Sequence, residues 1–284
     1  MGIVAWPTVI LGLVLAALYV AAVALALTGH LPLWLAVPSV AIVTYLSYTV
    51  LHESVHGSIS GNDRSLRWLN KAMGYVAAWI TMIPLTAHRH EHMAHHRYAN
   101  REGSDPDFHI GNMRDSLLAP VRAALQAWIN QFIYYARNCW HNVPPRQNLY
   151  LCMEVTAALL PRLAVAVAGY WVEGLALFVL AWTIGAIVLL YLFAYVVHRP
   201  HERVGRYLDT ATILPPESPR LHTGLNWLWM FQNYHSIHHL FPRVPFYKYA
   251  EFYQEIEDVM EAKKAPIYSI SVRGLEQVAP RLVA

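Results

Sequence analysis

The chain has 284 residues, 56% of them hydrophobic and only 14% charged, with a mean hydropathy of +0.30, which excludes an ordinary soluble domain. Its two cysteines, Cys139 and Cys152, form no CxxC pair, so a disulfide framework, a zinc ribbon and a thiolate-held iron–sulfur cluster are excluded as well. The net charge of +3 calls for no nucleic acid, because a membrane accounts for where the basic residues fall.

Four apolar stretches come in chain order: Ile3 to Leu27, Leu33 to Leu51, Leu149 to Val172 and Leu175 to Val197. About 20 apolar residues in a helix cross the hydrocarbon core, so each stretch is long enough to span. The first lacks a basic leader and a small-residue cleavage site, and is expected to be retained. Tyr75 to Leu85 is apolar but short, which predicts a re-entrant or interfacial helix. Glu154 and Arg162 sit inside the third stretch, where an ionisable group must face the bundle or snorkel.

Ten of the 21 Lys and Arg lie between His52 and Asn148 and ten after His198, whereas the connectors Thr28 to Pro32 and Glu173 to Gly174 carry none. By the positive-inside rule, segments 52–148 and 198–284 and both termini face the cytoplasm of an inner, multi-pass membrane protein. No repeat or linker divides the chain. The expected architecture is a single all-α integral membrane domain over 1–284. Its spans lie near 3–27, 33–51, 149–172 and 175–197, forming two hairpins, with a short re-entrant helix and a cytoplasmic helical cap.

Fifteen of the 16 histidines fall in those two cytoplasmic segments. His52 and His56 are spaced i, i+4, and His92, His95 and His96 are spaced i, i+3, i+4. The latter spacing recurs at His235, His238 and His239. On helices each group projects from one stripe, giving eight imidazoles on three faces, and His198 stands at the end of the fourth span as a ninth. Eight or nine nitrogen donors exceed the needs of one metal and fit two; imidazole suits iron, copper and zinc alike, and the membrane setting favours a redox pair of irons. Glu53, Asp105 and Asp107 are candidates to accept the outer N–H of a ligand imidazole, and His88 and His201 to support the site from beside it. His90 is either another such group or a loop residue, while His109, His141 and His222 read as ordinary polar histidines.

His52-Glu53-Ser54-Val55-His56 also spells HExxH, in which Glu53 would be the general base of an intramembrane zinc protease. That reading leaves both later clusters unemployed and offers no convincing third zinc ligand.

HESVHG, HMAHHRYAN with SDPD, HRPHE and NWLWMFQNYHSIHHLFPRVPFYKY together resemble the integral-membrane fatty acid desaturase superfamily, from about His52 to Tyr249. The HRP after a span and the QNYHxxHHLxPxxPxY ending are most similar to bacterial and cyanobacterial beta-carotene hydroxylases, though bacterial acyl-lipid desaturases use similar endings. The resemblance implies two irons that activate O2, held by His52, His56, His92, His95, His96, His198, His235, His238 and His239. His201 is an alternative to His198. It implies oxidation of a lipid-soluble substrate, with hydroxylation of a beta-carotene-type carotenoid the first expectation and acyl-lipid desaturation the alternative.

Trp79, Met82, Trp227, Trp229 and Phe231 are candidate walls of a substrate channel, each also open to a plain interfacial or packing role. No haem-binding or ferredoxin-like segment is apparent, which implies a separate donor such as a ferredoxin or a cytochrome. Arg97, Arg101, Arg243 and Lys248 could dock an acidic one, although positive-inside topology by itself explains these charges.

Overall fold

The computed structural model describes residues 2–216, 218–271 and 274–278. The chain is mostly helical, and four helices are long and apolar enough to cross a membrane: α1 (Trp6–Leu27), α2 (Leu33–His56), α6 (Pro145–Val167) and a fourth, Trp171–Tyr195. Between them lie α3 (Arg67–Thr81), α4 (Leu85–Tyr98) and α5 (Ala119–Asn138). Pro7 and Pro145 open α1 and α6, where a missing N–H costs nothing. Gly57, at φ 69°, ends α2 immediately after His56. The third span starts four residues earlier than the hydropathy suggests, because Pro145 sets the helix start ahead of the apolar run.

Two compact units emerge, each made of two chain segments: residues 1–93 with 115–189, and 94–114 with 190–284. In the first, α1, α2 and α3 share one apolar core that includes Tyr19, Val50, Leu51, Met73 and Ile80. Small residues let the helices approach: a Cβ on Gly74 would lie 2.1 Å from Ser54 Oγ, and one on Gly185 2.6 Å from the Ala41 carbonyl.

Tyr75 to Leu85 is not one short helix. It covers the C-terminal half of α3, a break at Met82 in the left-handed region (φ 56°), and the start of α4 after Pro84. A proline that cannot donate and a left-handed residue together stop α3 and restart the chain as α4. The break exposes helix-end carbonyls and N–H groups among apolar spans, where each would cost several kcal/mol if unpaired. Side chains from neighbouring helices satisfy them. Arg162 donates to the Trp79 carbonyl at 2.7 Å, Trp182 Nε1 to Thr81 O at 2.7 Å and Trp128 Nε1 to Met82 O at 2.8 Å. Glu154 accepts the Thr86 N–H at 3.0 Å and the Thr86 hydroxyl, which places a carboxylate at the positive end of α4. Arg162 also donates to Tyr19 OH at 2.9 Å and lies 5.2–5.8 Å from the rings of Trp79, Phe178 and Tyr19. The two ionisable residues of α6 thus serve the α3–α4 break.

The second unit holds a three-stranded sheet that the all-α expectation did not include: β1 (Thr212–Leu214), β2 (Ile267–Ser271) and β3 (Gly274–Gln277). β2 pairs parallel with β1 (Ile213 with Tyr268) and antiparallel with β3 (Ile270 with Leu275). Strands of three to five residues leave too short a pattern to read by periodicity. The sheet bears on the site through the helix His235–Leu240. Ile213 N–H donates to Asn233 O at 2.6 Å, Asn233 Nδ2 donates back to Ile213 O at 3.0 Å, and the hydroxyls of Thr212 and Ser236 are paired.

Candidate metal centre

In the first unit, α2 ends with His52 and His56 on one face, their ring centroids 5.0 Å apart. α4 brings His92 to 4.7 Å and 4.9 Å from those rings, with Nε2 of His56 and His92 2.9 Å apart. His88, one turn earlier on α4, packs 5.2 Å from the His92 ring, and its Nδ1 is 3.1 Å from Gln131 Oε1 and 3.5 Å from Glu91 Oε2. Glu53, next to His52, accepts a hydrogen bond from the Thr8 hydroxyl at 3.1 Å. His90 contacts Gln147 at 3.0 Å.

The second unit gathers four imidazoles from three places in the chain: His95 near the end of α4, His198 just beyond the fourth span, and His235 and His239 one turn apart on the helix His235–Leu240. One ligand nitrogen from each lies within 4.8 Å of the others. His201 is not in this set; it packs 5.3 Å from the Tyr195 ring and against Gly111. In the same unit His96 Nε2 and His238 Nε2 are 2.9 Å apart, and the His96 ring stacks on His239 at 4.2 Å.

Hydrogen bonds fix how these rings are presented. Asp105 Oδ1 is 2.9 Å from His95 Nδ1, Gln232 Oε1 is 2.8 Å from His235 Nδ1, and the Tyr249 hydroxyl is 3.0 Å from His238 Nδ1. In each pair an Nδ1–H donated outward leaves the Nε2 lone pair for a metal. Asp107 lies farther from His95, at 3.7 Å, and its N–H donates to Asp105 Oδ1. Of the carboxylates read from the sequence, Asp105 therefore makes the short contact. Gln232 and Tyr249 were missed, although Gln232, three residues before His235, stands inside the quoted HxxHH segment.

Electrostatics match a neutral donor set. Burial, followed by the neighbouring imidazoles, holds His198 and His239 well below the usual histidine value. Burial lowers His201 to about 4 and raises the Asp209 carboxyl to about 6. At Asp105 burial works upward, but His95 and the amides of Asp107 and Asn100 outweigh it and keep the carboxyl below its ordinary range.

Both ring nitrogens of His198, and Nε2 of His239, are buried without a hydrogen-bond partner among the described residues. Leaving such a group unpaired costs about 1–3 kcal/mol, so buried imidazole nitrogens of His198 and His239 beside His95 and His235 suit a cation. Metal–imidazole bonds of about 2 Å put two ligands on one ion at most about 4 Å apart, within a small adjustment of the observed spacing.

The other sequence candidates lie elsewhere. Trp79 and Met82 line a cavity in the first unit. In the second, Trp227 is half exposed and packs with Phe231 and Phe246, while Trp229 Nε1 is held by the Leu192 carbonyl at 2.9 Å. Arg97, Arg101 and Arg243 are exposed, and Lys248 is paired with Glu251.

Helices long enough to span a bilayer, joined to sets of convergent imidazoles, define a membrane protein with a candidate histidine-built metal site. The chain belongs to the fatty acid desaturase family, which it matches over residues 28–271. It is similar to two curated proteins described as beta-carotene ketolases, from two strains of Paracoccus sp. It is 28% identical to one over 232 residues (72% of this chain, 74% of the relative) and 29% identical to the other over 227 residues (75% and 77%). The chain is accordingly an integral membrane, oxygen-dependent oxidoreductase, and the HExxH protease reading gives way.

Proposed function

We propose that this chain is a membrane-bound non-haem diiron enzyme that uses O2 and external electrons to oxidise a C–H bond of a beta-carotene-type carotenoid. The observation that carries the reading is the convergence of His95, His198, His235 and His239 in a chain similar to carotene ketolases. These four are assigned to one iron. His52, His56 and His92, gathered in the first unit, are assigned to the second, and His96 and His238 remain ligands that the family resemblance implies. Such a pair, when bound, would supply the reduction of O2 and the attack on an unactivated C–H bond.

The protein's own part is position. Asp105, Gln232 and Tyr249 hold their imidazoles in the tautomer that binds metal, Glu154 holds the start of α4, which carries three of the ligands, and Arg162 the end of α3 before it. Two hairpins with both termini and the metal site on the cytoplasmic side follow from the basic residues. An electron donor would then reach the site from water, with the exposed Arg97 and Arg101 available to an acidic partner.

One insertion consumes O2, two electrons and two protons, and converts C–H to C–OH with release of water. A second insertion at the same carbon gives a geminal diol, which loses water to leave a ketone. The relatives' described activity favours carrying the oxidation that far. Purified protein supplied with a ferredoxin-type donor, O2 and beta-carotene should yield carotenoid with added oxygen by mass spectrometry. Loss of two hydrogens from an acyl lipid, with the carotenoid untouched, would overturn the reading in favour of a desaturase.

A further inference from the structure

A cavity of about 350 Å³ lies within the first unit, between α3, α5 and α6. Its walls include Trp79, Met82, Trp128, Phe132, Met153 and Ala157. The one carboxylate in the lining, Glu154, has both oxygens engaged by Thr86, so the wall offers little free polarity. Met153 is 58% exposed on a spanning helix, and the cavity therefore opens on a surface that faces lipid. Whatever enters comes from the bilayer.

The walls discriminate among apolar occupants. The indole N–H of Trp79 donates to Ala157 O at 3.1 Å and that of Trp128 to Met82 O at 2.8 Å, which fixes both ring planes. Rigid aromatic rings and two thioether sulfurs form a polarisable wall. A planar conjugated chain exploits it without the ordering cost that a flexible acyl chain would bear. The cavity is also tied to the metal ligands along the chain. Met82 and Pro84 lie at the entrance to α4, and the seven helical steps from Leu85 to His92 advance about 10 Å.

We propose, resting on the carotenoid reading above, that this cavity binds the conjugated polyene of the substrate about 10 Å from the His52, His56 and His92 end of α4, and so sets which part of the molecule is oxidised. The test uses full-length, metal-free protein in phospholipid nanodiscs titrated with beta-carotene. Binding is read by quenching of tryptophan fluorescence and by induced circular dichroism in the visible. Ala157→Phe and Met153→Trp each fill the cavity from the exposed side of α6.

The expected result is that affinity falls about tenfold or more in either variant, while metal uptake by the same preparations is unchanged. Wild-type affinity in both variants, or no saturable beta-carotene binding above that of protein-free nanodiscs, overturns the assignment. If wild-type protein binds the polyene and the variants do not, yet donor and O2 give no oxidised carotenoid, the substrate reading fails and the cavity stands. If both variants form product with unchanged KM, the cavity assignment fails and the substrate reading stands.

Discussion

Asp105→Asn is the perturbation whose consequence follows most directly from the geometry. Asp105 Oδ1 takes the His95 Nδ1–H at 2.9 Å and the Asp107 N–H at 2.9 Å, while Oδ2 takes the Asn100 N–H at 2.8 Å. An asparagine keeps one acceptor oxygen. Placing it at the Oδ1 position retains two bonds but turns an NH2 against the Asn100 N–H and removes the charge from the His95 contact. A bond to a charged partner is worth about 1.5–3 kcal/mol, and loss of a ligand's supporting carboxylate weakens metal sites about 10–100-fold, or about 1.4–2.8 kcal/mol.

The carboxyl lies below its ordinary value in the folded chain, so its contribution is complete above pH 3.8 and is lost only as pH falls through the lowered value. The deficit in Asp105→Asn should therefore be flat from about pH 5 to about pH 8. Titration of metal-free protein with Co2+, followed by visible absorption, should show one ion binding about 10–100-fold more weakly and the other unchanged. Two ions bound with wild-type affinity would refute the role given to Asp105.

Other outcomes follow from the same contacts. His198→Ala should lose one metal ion per chain, whereas His201→Ala, outside the four-imidazole set, should retain both; equal loss in the two variants contradicts the assignment. Arg162→Met strands the Trp79 carbonyl and the Tyr19 hydroxyl and removes three cation–π contacts, against some relief of desolvation. Thermal unfolding in detergent should report about 2–4 kcal/mol less stability, and an unchanged midpoint denies Arg162 its part at the α3–α4 break. Because His198 and His239 sit below the ordinary value of 6.5, protons compete for them only as pH falls well under that value. Bound metal should persist as pH falls through 6.5, and half-loss at or above 6.5 would contradict neutral imidazoles at His198 and His239.

The histidine spacing was legible because it is local: i, i+3 and i+4 on a helix share a face whatever surrounds it. How the ligands divide was not. Successive residues turn by 100°, so His92 and His96 differ by about 40° while His95 points off to one side, and the same holds for His235 and His239 against His238. Only the tertiary structure shows that His95, His235 and His239 meet His198, which His201 resembles in sequence setting alone. Hydropathy likewise found the spans but read Tyr75 to Leu85 as one helix, since an apolar run carries no sign of the left-handed residue at Met82. The charges at Glu154 and Arg162 marked that break from 68 and 83 residues away, a long-range pairing that a single sequence does not display. Gln232 and Tyr249 escaped notice for a related reason: an amide and a phenol have many uses, and their contacts with His235 and His238 belong to the folded chain.

The most direct measurement is the iron content and Mössbauer spectrum of the fully loaded chain. The account predicts two irons per polypeptide, magnetically coupled, with one lost on replacing His198 and the other on replacing His56. A single iron at full occupancy, unaffected by changes at His235 and His239, would contradict it.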